Sequence, residues 1–174
     1  MTMKVRSIAA AALAVACALP IAAQQTREQA IHGLRKVKAS EMDASYSKPA
    51  PFAQKLVDAA LNRHPEVLLL AIHAQPPGHP NVIVASNFDR IGKIGDVDDM
   101  RCIHTGKPNL EVNGPHFEDE LVLKDQAGKI IGALGVVFNY GPGADKTKLM
   151  HIAEQIEREM QQQLPTAGRL FGAE

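Results

Sequence analysis

Residues 117–140 read FEDELVLKDQAGKIIGALGVVFNY. Phe117 to Leu123 and Lys129 to Phe138 are two strand-like runs. Between them, Asp125-Gln126-Ala127-Gly128 carries turn chemistry: an aspartate for local hydrogen bonds and a glycine for positive φ. The stretch predicts a hairpin, and hairpin connections imply an antiparallel sheet. Gly132 and Gly135 fall inside the second strand, where glycine marks a bulge or a close approach by another element.

Upstream, EVLLLAIHA (66–74) is a short, dense apolar run bounded by Pro65 and Pro76, which predicts a buried strand. The turn-rich QPPGHPN separates it from VIVAS (82–86), and a hairpin is the simplest pairing of the two. NLEVN (109–113) is a candidate short strand, and Asp96 a candidate cap for a helix through Met100 and Ile103.

Flanking helices follow from period and punctuation. Thr26 and Gln29 resemble a capping box, with Ile31, Leu34 and Val37 near helical spacing, predicting a long N-terminal helix to about Met42. Pro49 and Pro51 open a second helix with Phe52, Leu56, Ala59, Ala60 and Leu61 on one face, ended at His64 before Pro65. Asp145 caps a C-terminal helix carrying Leu149, Ile152, Ala153, Ile156, Met160 and Leu164. The expected fold is α+β: an antiparallel sheet of about five strands with helices on one face.

The first residues have the pattern of a secretory leader: basic Lys4 and Arg6, an alanine-rich apolar run, Pro20, then Ala22 and Ala23. Cleavage near Ala23 would deliver the chain to the periplasm or the exterior. An uncleaved anchor and lipidation at Cys17 are the alternatives. The expected organisation is 1–23 leader, 24–48 helix and linker, 49–165 main domain, and 166–174 frayed tail. Removing Lys4 and Arg6 from the 19 basic residues leaves 17 against 19 acidic ones, which excludes a basic nucleic-acid footprint. With Cys17 removed, Cys102 stands alone and forms no intramolecular disulfide.

Two segments carry a resemblance. VIVASNFDRIGK (82–93) is similar to a strand, polar turn and Ile-Gly, and LVLKDQAGKIIGALGVVFNY (121–140) to a closing hairpin, of the extracellular PAS-like sensor domains called single Cache or PDC domains. The resemblance covers roughly residues 51–163. It implies a five-stranded antiparallel sheet behind a long helix, with a small ligand between one sheet face and its covering loops. Amino acids, carboxylates and other small metabolites are the ligands it implies. Such domains commonly lie between two membrane helices. Here no second apolar span and no output domain follow. The expectation is therefore a free binding protein or a partner for a membrane sensor or transporter component.

The polar candidates for that pocket are Asn87, Arg90, Arg101, His104, Asn139 and Tyr140. Arg90 or Arg101 would hold an anionic group through the guanidinium fork. His104 or Tyr140 would orient the ligand. Against this, Asn87, Asp89 and Arg90 also suit an ordinary turn. Cys102 and His104 would share a face if their stretch were extended, which would allow a thiol enzyme or a haem or metal site. A buried thiol beside an unrelated histidine is the plainer reading. His73, His79, His104 and His116 lack metal-motif spacing, and no metal or cofactor is expected. Alternation places Glu118 and Glu120 on one strand face, either as paired acids or as a solvated strand start. HTGKP (104–108) lacks the rest of a phosphate loop, and no G-x-S-x-G elbow is present. The basic N-terminal helix could mediate a homodimer or be a solvated face.

Overall fold

The structure, a computed structural model, describes Arg27 and residues 37–172. The expected leader, and most of the expected N-terminal helix, lie outside the described residues. Among the described ones, 37–48 do not continue an α-helix: Ala39–Glu41 forms a single 3-10 turn. Helix α1 (Pro51–Arg63) starts on the predicted proline and stops at His64. Ala53, Leu56, Val57, Ala60 and Leu61 recur at helical spacing and are all buried. Arg27 donates from Nε to the Val67 carbonyl at 2.9 Å and from a terminal nitrogen to the Leu61 carbonyl at 3.2 Å, meeting a carbonyl of the last helical turn.

Strands β1 (Val67–Ala74), β2 (Val82–Ser86), β3 (Asn109–Asn113), β4 (His116–Lys124) and β5 (Ile130–Asn139) form one antiparallel sheet in the order β2-β1-β5-β4-β3. Both expected hairpins form. The chain's first strand also pairs with its last, so β1 and β5 are central. All eight residues of β1 are buried, which is why that strand reads as a continuous apolar run rather than an alternation.

One face packs Leu70, Ile72, Val84, Phe117, Leu121, Leu134, Val136 and Phe138 against α1 and helix α3 (Lys146–Gln161). Each such side chain contributes roughly 1.5–3 kcal/mol on burial. The β4–β5 turn is clasped to the end of α3, where the Gln126 amide donates to the Leu164 carbonyl at 2.8 Å. A short helix α4 (Gly168–Phe171) follows, with Leu170 fully buried and the Arg169 guanidinium 4.0 Å from the Phe52 ring centre. The segment expected to fray is therefore docked as far as Gly172, because Leu170 completes the core under α1.

Helix α2 (Val97–Thr105) corrects the expectation that the helices share one face. It packs on the opposite face, where Cys102 meets Val122 and Ala133. Asp96 caps it as predicted, with the Asp98 and Asp99 amides donating to its side chain and Asp99 returning the bond to the Asp96 amide at 2.8 Å. Among the described residues, no helix is long and apolar enough to cross a membrane.

Candidate functional site

The second sheet face is only partly covered. Phe88 and Ile91 pack over Leu68, Leu69, Ala71, Ile83 and Val137, and α2 covers Val122 and Ala133. Between them lies a cleft of about 830 Å³, bounded on its outer side by β3. The register explains the hollow. Glu120, Gly135 and Ala71 stand side by side across β4, β5 and β1, so the floor is lowest where its residues are smallest.

The stretch after β2 is not a simple surface turn. Gly92, at φ 87°, approaches so closely that a Cβ would lie 2.2 Å from the Tyr46 carbonyl oxygen. Its amide donates to the Ile83 carbonyl at 2.9 Å, and the Ile83 amide donates to Lys93 at 2.8 Å. The loop thus folds back along β2 and brings Arg90 and Lys93 to the cleft wall.

Of the six residues singled out from the sequence, the cleft gathers two, Arg90 and Asn139. Arg90 stacks on Phe88, 4.9 Å from the ring centre. Asn87 instead joins β1 to the loop: it accepts from the Leu70 amide at 2.9 Å and donates to the Leu68 carbonyl at 3.0 Å. Arg101 lies on the outer side of α2, paired with Asp98 one turn earlier. His104 is exposed on the same helix, in an open surface groove with Arg101. Tyr140 packs against Phe117 on the other side of the sheet, with ring centres 5.9 Å apart.

The thiol–imidazole pair does not form. In a helix, residues two apart point to different sides, so the shared face expected for an extended chain is lost. Cys102 is fully buried, its Sγ 3.5 Å from the Glu120 carbonyl oxygen it donates to. Burial, then the Glu120 and Asp99 charges, pushes the thiol up to about 12, the reverse of what a nucleophile needs.

The cleft also contains charged groups the sequence did not mark as binding residues. His73 Nε2 lies 3.3 Å from Asp99 Oδ1. Lys93 Nζ lies 2.9 Å from Asp96 Oδ2 and 3.6 Å from Asp99 Oδ2. Burial holds His73 below the usual histidine range, with Asp99 opposing. Burial works to raise Asp96, but the bond and charge of Lys93 pull it below the usual range. Burial, the hydrogen bond shared with Asp99, and the surrounding acids raise Glu120 to about 10. Glu120 is therefore a neutral carboxylic acid near pH 7. Burial, with Asp99 and Glu111, raises Glu118 to about 6, and Arg90 pulls the other way. The alternation Glu118–Glu120 was legible in the sequence. Their burial was not, because α2 and β3 cover them from distant parts of the chain.

Asp96, Asp99 and Glu120 each offer an oxygen, mutually within 4.8 Å. The Lys93 ammonium already offsets part of this group's charge from within. Elsewhere, Asp43, Ser45 and His79 form a clamp rather than a triad. Asp43 lies 2.7 Å and Ser45 3.5 Å from the same ring nitrogen of His79, which leaves no relay through the ring.

No protein-family model and no curated protein matches the sequence. Solved structures similar to the chain include GAF domains. One titled as the structure of the GAF domain is 7% identical over 80% of this chain and 88% of its own, at a TM-score of 0.46. A GAF sensor protein from Burkholderia vietnamiensis is 13% identical over 80% and 89%, at 0.44. The fRMsr of Staphylococcus aureus in its reduced form is 12% identical over 83% and 96%, at 0.48. These neighbours correct the resemblance to extracellular Cache or PDC domains drawn from the two motifs. A strand, a polar turn and a hairpin recur in antiparallel sheets of unrelated families, so the two motifs do not specify one.

Proposed function

We propose that the chain is a non-catalytic small-molecule-binding module of sensor type, and that its ligand is amino-acid-like. The observation that carries this reading is the cleft. A sheet face that could have been filled by aliphatic side chains is floored by Gly135 and Ala71 and walled by charged groups. Its volume falls within the roughly 300–1,000 Å³ common for small-ligand sites. Arg90 supplies a guanidinium for a carboxylate and the Glu118 side an acid for an amine. A plain carboxylate fits less well, since acids outnumber bases along the wall. The leader-like start supports a periplasmic or secreted location after cleavage near Ala23. There the module would serve a membrane sensor or transporter component, with the segment preceding residue 37 as the element for docking or self-association. A thermal-shift screen of amino acids and organic acids tests the reading. Millimolar concentrations of an amino-acid-like compound should raise the melting temperature by linkage, and a flat response across the whole panel would overturn it.

A further inference from the structure

We propose that the cleft selects its ligand by a positively charged nitrogen, an ammonium or guanidinium, seated on the Glu118 carboxylate in the notch left by Gly135. This rests on the cleft being the ligand site. The notch is a property of register and residue size together. Gly135 pairs with Glu120 on one side and Ala71 on the other, and Val137 pairs with Glu118. A Cβ built on Gly135 would meet nothing nearer than Glu118 Oε1, at 3.6 Å, so the space above the glycine adjoins that carboxylate. Glu118 and Glu120 stand two residues apart on one face of β4, and both line the cleft.

Charge points the same way. Lys93 is already engaged by Asp96 and Asp99, so its charge is matched within the wall. Asp98 is matched by Arg101. Glu118 is left facing the cleft among Asp99, Glu111 and Asp96, with Arg90 the cation acting on it. A second feature is independent of that acidic count. Glu120 is only 7% exposed, and beyond the hydrogen bond it shares with Asp99 its Oε2 finds no donor among the described residues. A buried polar atom without a partner is rare and costly. A nitrogen bearing several N–H donors, held above Gly135, sits beside both carboxyl groups, whereas a carboxylate there meets like charge.

The test uses the purified chain and three probes that share a five-carbon skeleton: cadaverine, δ-aminovalerate and glutarate. Calorimetry and thermal shift should show stabilisation by the two amines and none by glutarate. Glu118→Gln should weaken amine binding about 10- to 100-fold, the range for a lost charge-assisted hydrogen bond. Gly135→Val, which fills the notch at a position of ordinary φ, should abolish it. The unliganded melting temperature of each variant reports folding. Stabilisation by glutarate alone, by none of the three, or amine binding unchanged in Glu118→Gln overturns the seat. If Gly135→Val still abolishes binding while Glu118→Gln does not, the cleft remains the site and the seat is wrong. If both variants bind as the parent does, the cleft reading itself fails.

Discussion

His73 on β1 and Asp99 on α2 face each other at 3.3 Å, and neither is more than 5% exposed. Helix α2 is thus tied to the sheet partly by polar groups: beside Cys102, its buried contact is a carboxylate shared by a histidine, a lysine and its own N-terminal cap. Asp99→Ala removes all three partnerships and leaves Lys93 buried with Asp96 alone. The expected cost is about 3 kcal/mol, the low end for breaking a buried ion pair. Chemical denaturation measures it. A loss below about 1 kcal/mol, typical of an exposed pair, would show that α2 is held by its apolar contacts instead.

Asp119 points into the core opposite the cleft, with Oδ1 unpartnered. Burial and the Glu154 charge raise it to about 7, with Lys146 opposing. A carboxyl raised above its unfolded value binds its proton more tightly in the fold. Its contribution is whole below about pH 4 and is lost as pH rises toward 7. Asp119→Asn removes this titration. The variant's stability relative to the parent should therefore improve from about pH 5 to about pH 8. Taking the difference cancels His73, whose depressed value acts in the opposite sense below the unfolded histidine range. A difference that stays flat across this interval would mean that Asp119 is ionised in the fold throughout.

The Cys102 thiol should react slowly. It is fully buried and raised to about 12, so modification by a thiol reagent near neutral pH must wait for α2 to open. Labelling should accelerate sharply in denaturant. Fast stoichiometric labelling of the native chain would restore the thiol-enzyme reading that the helix geometry sets aside.

Two glycines in one strand should differ in their tolerance. A Cβ at Gly132 would lie 2.0 Å from the His73 carbonyl oxygen, a backbone atom that cannot move without breaking the β1–β5 ladder. Gly132→Ala should cost about 1–3 kcal/mol or more, the range for overpacking. Gly135→Ala meets only an ordinary contact and should change stability by less than about 1 kcal/mol. Equal losses at both positions would contradict the geometry that separates a packing glycine from a cleft glycine.

The sequence by itself determined the five strands and the helices at Pro51, Asp96 and Asp145. Proline at the start of α1, the Asp96 and Asp145 caps and the Asp-x-x-Gly turn act over a few residues, so their consequences are written locally. Glycine at 132 announced a close approach without saying to what. The thiol–imidazole alternative at Cys102 and His104 needs a period of two, and the chain there takes a period of 3.6, which leaves the plainer reading of a buried thiol beside an unrelated histidine. Tertiary structure alone decided that β1 lies between β2 and β5, that α2 crosses to the second face, and that Glu118 and Glu120 become cleft walls rather than a solvated edge. Each of these depends on partners tens of residues away. Burial of a charge is a property of what covers it, and no local pattern records the cover.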